Sequence, residues 1–192
     1  RLCPVCFVRM SKGRNEMTLT QQPTITTEHF VLRPIRTSDA GLIELYSSDE
    51  RVARMTNNIA HPLPPGATQA LLMRANDPKR EQDIWAIDMS HKGGPDLIGL
   101  IMLNRLDESQ SEVTGWVAPA FWNTGAASQA VHNLIENNPL GNKAIFASVF
   151  QDNPVSAKVL ISAGFDYIGD AETFSVARSA NVPTWTYLRK LN

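Results

Sequence analysis

The sequence has 192 residues, of which 43% are hydrophobic, so it is long enough for one well-buried core and short for two. Eighteen basic side chains against nineteen acidic ones give a formal net charge of -1, which predicts no nucleic-acid partner and no attraction to an anionic membrane. No apolar run approaches the roughly twenty residues that span a bilayer. These properties favour one soluble domain.

The first 23 residues are predicted to form a flexible or added extension, and the predicted domain covers residues 24–192. Both cysteines, Cys3 and Cys6, lie in this extension. A zinc site needs about four ligands at matched spacing, and no second Cys or His pair follows, so no metal is predicted. Because the predicted domain contains no disulfide framework, the expected location is the cytoplasm.

The first half of the chain predicts one strand, three helical pieces and a three-stranded meander. Residues 29–35 alternate in strand fashion, and the sequence Thr37-Ser38-Asp39 then offers caps for a helix. A Pro-rich loop at 60–66 cannot be regular structure. Helical spacing predicts helices at 41–47, 49–55 and 67–76, and apolar runs between turn residues predict strands at 84–89, 97–104 and 111–117.

A turn of small residues follows the third strand of the meander and leads directly into a helix. Gly125, Ala126 and Ala127 carry almost no side chain at this junction. The first N–H groups of a helix have no partner inside it, and the helix dipole places partial positive charge there, so a phosphate group would be well placed. Ordinary turn chemistry is the alternative. The helix that follows is strongly amphipathic and is predicted to end at Pro139 and Gly141.

The last third of the chain predicts a crossover followed by a closing pair of strands. Residues 143–150 form a strand that is expected to lie parallel to the strand before the helix. Asn153 is the predicted N-cap of another helix, with Pro154 at its first position and Gly164 at its end. Strands at 165–169 and 183–188 close the chain. The predicted fold is α/β (α+β mixed), with a central, mostly antiparallel mixed sheet flanked by helices on both faces.

Four segments carry a resemblance to a known family: VLRPIRTSDA at 31–40, WAI with LIGLI at 85–101, EVTGWVAPAFWNTGAAS at 112–128 and DNPVSAKVLISAGF at 152–165. Their order and spacing resemble the GNAT superfamily of acetyl-CoA-dependent N-acetyltransferases. Within it, the chain looks most similar to the RimJ/RimL branch, whose members acetylate N-terminal amines of ribosomal proteins. The likeness covers about 24–191 and implies acetyl-CoA as donor substrate and a primary amine as acceptor.

The resemblance also implies which residues hold acetyl-CoA. Two departures stand against it: Asn123 to Ala126 replace a turn that often carries a lysine, and Leu160 stands where many members have a tyrosine general acid. The missing lysine predicts weaker affinity for the cofactor phosphates. The implied cofactor-binding residues are Trp116, Val117, Trp122, Asn123, Thr124, Gly125, Ala126, Ala127, Asn153 and Ser156.

Acetyl transfer needs an unprotonated amine, stabilisation of an oxyanion and a proton for the departing thiolate. Glu112 is the candidate base because it lies on the strand beside the turn, and an ordinary exposed strand carboxylate is the alternative. Ser156 is the candidate to protonate the thiolate, since it lies in the first turn of its helix, although a solvated serine would look the same. Backbone N–H groups at 114–117 would contact the oxyanion if this strand splays or bulges.

Three hypotheses of function follow. The leading one is acetylation of a protein or peptide N-terminal α-amine. The second keeps the enzyme but gives it a small amine, such as an amino acid, a polyamine or a drug. The third is a non-catalytic acyl-CoA-binding module. A homodimer formed through the Pro-rich loop or the last strand stays open.

Overall fold

The chain is built around one eight-stranded mixed sheet, which a computed structural model describes together with its helices over residues 22–191. The strands lie in the order β1-β2-β3-β4-β5-β6-β8-β7, and every neighbouring pair is antiparallel except β5 and β6. The predicted crossover therefore does join parallel neighbours. The strands are β1 Ile25–Thr26, β2 Val31–Pro34, β3 Gln82–Asp88, β4 Gly99–Arg105, β5 Gln110–Val117, β6 Ala144–Phe150, β7 Asp166–Ser175 and β8 Ala180–Lys190.

Helices cover both faces of this sheet, as the sequence predicts, and each layer has its own core. The core on one face joins Ile43, Val52 and Leu72 to Trp116. The core on the other face includes Leu134 and Leu160. Strand β4 contributes to both cores, which explains its almost continuous apolar sequence. The first layer holds α1 Ala40–Ser47, α2 Glu50–Ala53 and α3 Ala67–Ala75, and the second holds α4 Ala126–Asn137 and α5 Pro154–Ser162.

One of the predicted helix caps has a different role in the structure. The turn Thr37–Asp39 is a short 3-10 helix that leads into α1, and the Asp39 side chain does not cap α1. It accepts from the Arg36 N–H at 2.7 Å, which closes the 3-10 turn, and it receives two hydrogen bonds of 2.8 Å from the guanidinium of Arg33. A buried cation needs a paired anion more than a helix end needs a cap, because solvent can satisfy the helix end but cannot reach Arg33.

A buried ion cluster thus ties β2 to β3 and to the start of α1. Arg33 is 4% exposed and its Nε donates to Asp88 at 2.5 Å, while its Nη2 also donates to the Asp96 carbonyl at 2.9 Å. Asp88 in turn accepts from the Ser90 N–H at 2.8 Å. Burial pushes the pKa of Asp88 up, but the hydrogen bonds from Ser90 and Arg33 outweigh it and hold this pKa below its ordinary value of 3.8.

The closing strands are longer than predicted, because Gly169 and Pro183 do not end them. Gly169 lies at φ 152° beside a register shift after Tyr167, so the chain passes a bulge and continues. The Pro183 carbonyl accepts from the Gln151 N–H, one residue beyond the end of β6. The nitrogen of Pro183 points to the same side as its carbonyl, where β6 has ended, so the missing N–H removes no hydrogen bond between the two strands.

The last strand has little free edge with which to join subunits. Strand β8 pairs with β6 over Thr184–Lys190 and with β7 over Ala180–Leu188, and the homodimer stays a prediction. The open edge at this end of the sheet belongs to β7.

In residues 22–191, no helix has the length and apolar composition needed to cross a membrane. Residues 1–21, with both cysteines, lie outside the described residues. The last two residues of the predicted extension contact β3, since Gln22 Nε2 donates to the Ile84 carbonyl at 2.7 Å and Trp85 Nε1 donates to the Pro23 carbonyl at 2.8 Å. The predicted boundary at 24 stays a prediction.

Candidate active site

The parallel strands β5 and β6 separate part-way along their length and leave a gap in the sheet. They pair only from Gln110 with Ala144 to Glu112 with Phe146. Beyond Glu112, β5 stays paired with β4 as far as Val117, and β6 stays paired with β8 as far as Phe150. The strand therefore splays, as the oxyanion prediction required, and the pairing with β4 shows no bulge.

The open edge of β5 presents unpaired backbone groups to this gap. Ala118 N donates to the Ile98 carbonyl in the β4 direction at 2.8 Å. Because successive peptide groups of a strand point to opposite edges, the N–H groups of Val117 and Gly115 point towards the gap. Gly115 packs closely against β4 on the other side, since a Cβ on it would lie 2.5 Å from the Leu100 carbonyl oxygen. The gap thus offers an extended ligand a strand edge to pair with.

The turn between β5 and α4 presents an open helix N-terminus. Gly125 is the N-cap residue at φ 82°, and no side chain caps the helix. Ala127 is exposed and Ala126 is buried, so the first turn of α4 carries no bulky or charged group. The N–H groups of this turn and the helix dipole can therefore bind an anion such as a pyrophosphate directly.

The other predicted cofactor-binding residues form two groups. The first group lies in the turn between β5 and α4, and the second packs in the core. The indole of Trp122 donates to the Val117 carbonyl at 2.7 Å, and Thr124 Oγ1 donates to the Phe121 carbonyl at 2.7 Å. Asn123 has a left-handed φ of 61° and is exposed. Trp116 lies in the core, edge-on to Tyr46 at 6.3 Å. Only the first group therefore lies at the anion-binding turn.

Glu112 lies where the two strands begin to separate. Its side chain is on the α1–α3 face, half-buried, and its Oε2 accepts from Asn104 Nδ2 at 3.5 Å. Asn104 accepts from Gln82 at 2.5 Å, so the carboxylate ends a short polar row that crosses three strands. Such a carboxylate keeps free lone pairs with which to accept a proton, directly or through water.

Asn153 and Ser156 lie at the opposite wall of the gap, where β6 leads into α5. Asn153 caps α5 by accepting from Ser156 N at 3.3 Å, and its amide donates to Ser156 Oγ at 2.9 Å. The Ser156 hydroxyl thus accepts from Asn153 and keeps its proton available to donate. Leu160 is buried in the core beside α4, so it has no part in proton transfer. Glu112 and Ser156 therefore lie in opposite layers, on either side of the gap.

Two arginines near the gap were not predicted from the sequence. Arg178, in the turn between β7 and β8, binds both the Arg54 carbonyl after α2 and the Asp152 carboxylate before α5. Arg51 of α2 lies 5.8 Å from the centre of the Trp122 ring. The contact from Arg178 to Arg54 spans 124 positions of sequence. No local pattern could have predicted it.

The arrangement combines an uncapped helix N-terminus, an open strand edge, and a carboxylate and a hydroxyl that could move protons around one gap. That set suits a long anionic donor that lies through the gap and delivers a group to an acceptor on the α1–α3 face. Among residues 22–191, no group of three or more His, Cys, Asp or Glu side chains could hold a metal ion. The class that these features define is an acyl-CoA-dependent transferase.

The chain belongs to the acetyltransferase (GNAT) domain family, which matches residues 29–166. It is an N-acetyltransferase, and acetyl-CoA is its donor substrate. A curated relative, the uncharacterized N-acetyltransferase YoaA of Bacillus subtilis (strain 168), is 27% identical over 156 residues, which cover 77% of this chain and 85% of the relative.

Solved structures with the same fold include RimJ of Mycobacterium smegmatis in complex with CoA-disulfide (TM-score 0.76, 15% identity, 89% of this chain and 88% of that one). The ribosomal-protein-S5-alanine acetyltransferase of Vibrio fischeri is similar at TM-score 0.70 and 22% identity, with coverage of 88% and 96%. The microcin C7 self immunity acetyltransferase MccE, in complex with acetyl-CoA and AMP, matches at TM-score 0.73 and 13% identity, with coverage of 86% and 94%. These likenesses show the fold.

Proposed function

We propose that the protein acetylates the α-amine of a protein or peptide N-terminus, as a member of the RimJ/RimL branch that works in the cytoplasm. The observation that carries the proposal is the gap between β5 and β6, with an uncapped helix N-terminus at its mouth and Glu112 where the strands part. In this proposal the pyrophosphate of acetyl-CoA binds at Gly125 to Ala127. The pantetheine arm pairs with the open edge of β5.

The reaction proceeds by direct attack. The neutral amine attacks the acetyl carbonyl carbon, and N–H groups on the open edge of β5 stabilise the oxyanion. Glu112 takes the amine proton, directly or through a water molecule. The carbon–sulfur bond then breaks, and the thiolate of CoA takes the proton of Ser156, which solvent replaces. The products are the acetylated amine and CoA.

The charges around the acceptor side favour a single amine over a polyamine. The acidic groups near the end of α2 are paired, Asp152 with Arg178 at 2.6 Å and Asp49 with Arg51 at 2.7 Å. An exposed apolar residue flanks each side of this region, Met55 at 42% and Val176 at 41% exposure. Such surfaces suit a peptide side chain, whereas a polycation needs unpaired carboxylates. One structural neighbour, the ribosomal-protein-S5-alanine acetyltransferase of Vibrio fischeri, agrees with this choice by its name, whereas another neighbour of the same fold is a spermidine N-acetyltransferase from Vibrio cholerae.

The test is a set of acceptors assayed for release of free CoA thiol from acetyl-CoA. Short peptides with different first residues are compared with the same peptides carrying a blocked N-terminus, and with spermidine, free amino acids and a lysine side-chain amine. We expect turnover with free N-termini only. The rate should rise with pH up to about 8, because a peptide α-amine loses its proton near pH 7.7–8.0.

Other outcomes of the same assay separate the alternatives. Turnover confined to small amines would replace the peptide acceptor with a small molecule. Bound acetyl-CoA without turnover of any amine would favour the non-catalytic module, for which the altered turn and the missing tyrosine are the sequence support.

A further inference from the structure

The gap between β5 and β6 is closed at its far end by contacts that do not belong to the sheet. On the β5 side, Trp122 of the turn before α4 meets the guanidinium of Arg51 on α2. On the β6 side, Asp152 binds Arg178. Helix α2 and the β7–β8 turn then meet each other through Arg178 and the Arg54 carbonyl. The separated strand ends are thereby rejoined by a ring of side chains.

Arg178 makes most of this connection, and its contacts are here called the Arg178 clasp. Its Nε and Nη2 donate to the Arg54 carbonyl at 3.0 and 2.7 Å, and its Nη1 and Nη2 donate to the two carboxylate oxygens of Asp152 at 2.6 and 3.2 Å. The guanidinium also stacks on the Phe150 ring at 4.8 Å. Its side chain is only 11% exposed. Arginine is the one side chain that can satisfy these acceptors together, because its planar guanidinium carries five N–H donors.

The clasp is placed to control both reactants. Arg54 follows α2, and the neighbouring Asn57 carbonyl accepts from Val176 N, so this segment borders the acceptor side. Asp152 directly precedes Asn153, which caps α5 and hydrogen-bonds to Ser156. The Arg178 hydrogen bond lowers the pKa of Asp152 below its ordinary 3.8, so the ion pair persists to a lower pH than an unpaired aspartate would stay ionised.

We propose that Arg178 is a positioning residue of the acetyl transfer. Through its clasp it fixes the end of α2 against the turn at Asp152, which holds the acceptor amine and the Ser156 hydroxyl in register across the gap. This role rests on the proposed function. It separates turnover from phosphate binding, because Gly125 is the N-cap of α4 and the clasp reaches this turn only indirectly, through Arg51 of α2 and Trp122.

The test compares Arg178→Met, Arg178→Lys and a control, Arg189→Met, in the full chain. Arg189 also lies at the β7–β8 hairpin and also donates to a carbonyl of the α5 region, that of Gly164, but at the end of α5 remote from Ser156. For Arg178→Met we expect acetyl-CoA affinity within about threefold of the parent, since Arg178 reaches the Gly125 turn only through α2 and substitutions at distant sites have nearly independent effects. We expect kcat with a peptide amine to fall roughly tenfold or more, because small misplacements of reacting groups are costly.

Arg178→Lys should recover part of the lost kcat, since an ammonium keeps the charge and some donors, whereas Arg189→Met should leave kcat near the parent value. Hydrogen exchange gives a readout that needs no acceptor: in Arg178→Met alone, amides at 54–58 and 150–157 should exchange faster. If no amine is turned over, the proposed function fails, while the exchange result still decides whether the clasp exists.

The proposal would be overturned by unchanged kcat and unchanged exchange in Arg178→Met, or by an equal fall of kcat in Arg189→Met. It would also be overturned if acetyl-CoA affinity fell as far as kcat, because the residue would then serve the whole fold. If Arg178→Met does not fold, Asp152→Asn weakens the clasp while keeping an acceptor, and it should show the same loss of kcat in smaller degree without a loss of affinity.

Discussion

Replacing Arg33 with leucine is expected to lower the free energy of unfolding at pH 7 by about 3–5 kcal/mol, which is a large share of the usual stability of a domain. The substitution leaves two carboxylates, Asp39 and Asp88, buried at 2% and 7% exposure without their cation. It also removes the donor to the Asp96 carbonyl. Urea unfolding at pH 7 measures the loss. Arg36→Leu makes the same chemical change on an exposed side chain and keeps the backbone N–H that donates to Asp39 at 2.7 Å, so it should cost well under 1 kcal/mol.

Lowering the pH should narrow the difference between Arg33→Leu and the parent protein. In the parent, the folded pKa of Asp88 lies below its ordinary 3.8, so its contribution to stability is complete above that value and is lost only as the pH falls through the lowered pKa. In the variant, burial without the Arg33 guanidinium raises the pKa of Asp88, so protonation begins to relieve the variant at a higher pH than it affects the parent. A constant difference from pH 7 to pH 5 would contradict this account of the cluster.

Replacing Glu112 with glutamine is expected to reduce kcat at pH 7 by about 100-fold, at the lower end of what general bases contribute. The amide keeps the size of the side chain and can still accept from Asn104, so acetyl-CoA binding and the melting temperature should stay close to those of the parent. The lower end is expected because an α-amine loses its proton easily. Glu172→Gln, on the exposed strand β7, is the matched control and should leave kcat unchanged.

The pH dependence of this variant separates a base from a merely structural carboxylate. In the proposed step Glu112 takes the proton that the amine releases on attack, and hydroxide can take this proton instead as the pH rises, so the deficit of Glu112→Gln should shrink above about pH 8. A deficit that is the same at pH 7 and pH 9 would argue that Glu112 orients the acceptor. Full activity at pH 7 would remove Glu112 from the mechanism and leave a water molecule as the base.

The fold could be predicted well because its determinants are local. The small residues at Gly125 and the Asn153-Pro154 pair mark the starts of α4 and α5, and the apolar periodicity marks their buried faces. The turn residues at 91–96 predict the hairpin of β3 and β4. The errors came where tertiary contacts overrode local preference: Asp39 pairs with Arg33 instead of capping α1, and β7 continues through Gly169.

The site could be predicted only in part for the same reason. Its anion-binding turn and its Asn153 cap are contiguous stretches of sequence, whereas the separation of β5 from β6 depends on how long two strands stay paired. The Arg178 clasp joins residues 26 and 124 positions away, and a polar turn residue gives no sign of such partners. The roles of Glu112 and Ser156 stay predictions, supported by their places on either side of the gap.

The most direct test of the account is isothermal titration of acetyl-CoA into the full chain and into its Ala127→Asp variant. Aspartate in the first turn should stabilise α4 but repel a bound pyrophosphate. We predict a Kd in the micromolar range for the parent, about -8 kcal/mol, and binding at least tenfold weaker for the variant with no loss of thermal stability. No detectable binding by the parent at millimolar acetyl-CoA, or equal binding by both proteins, would contradict the assignment of this turn as the cofactor site.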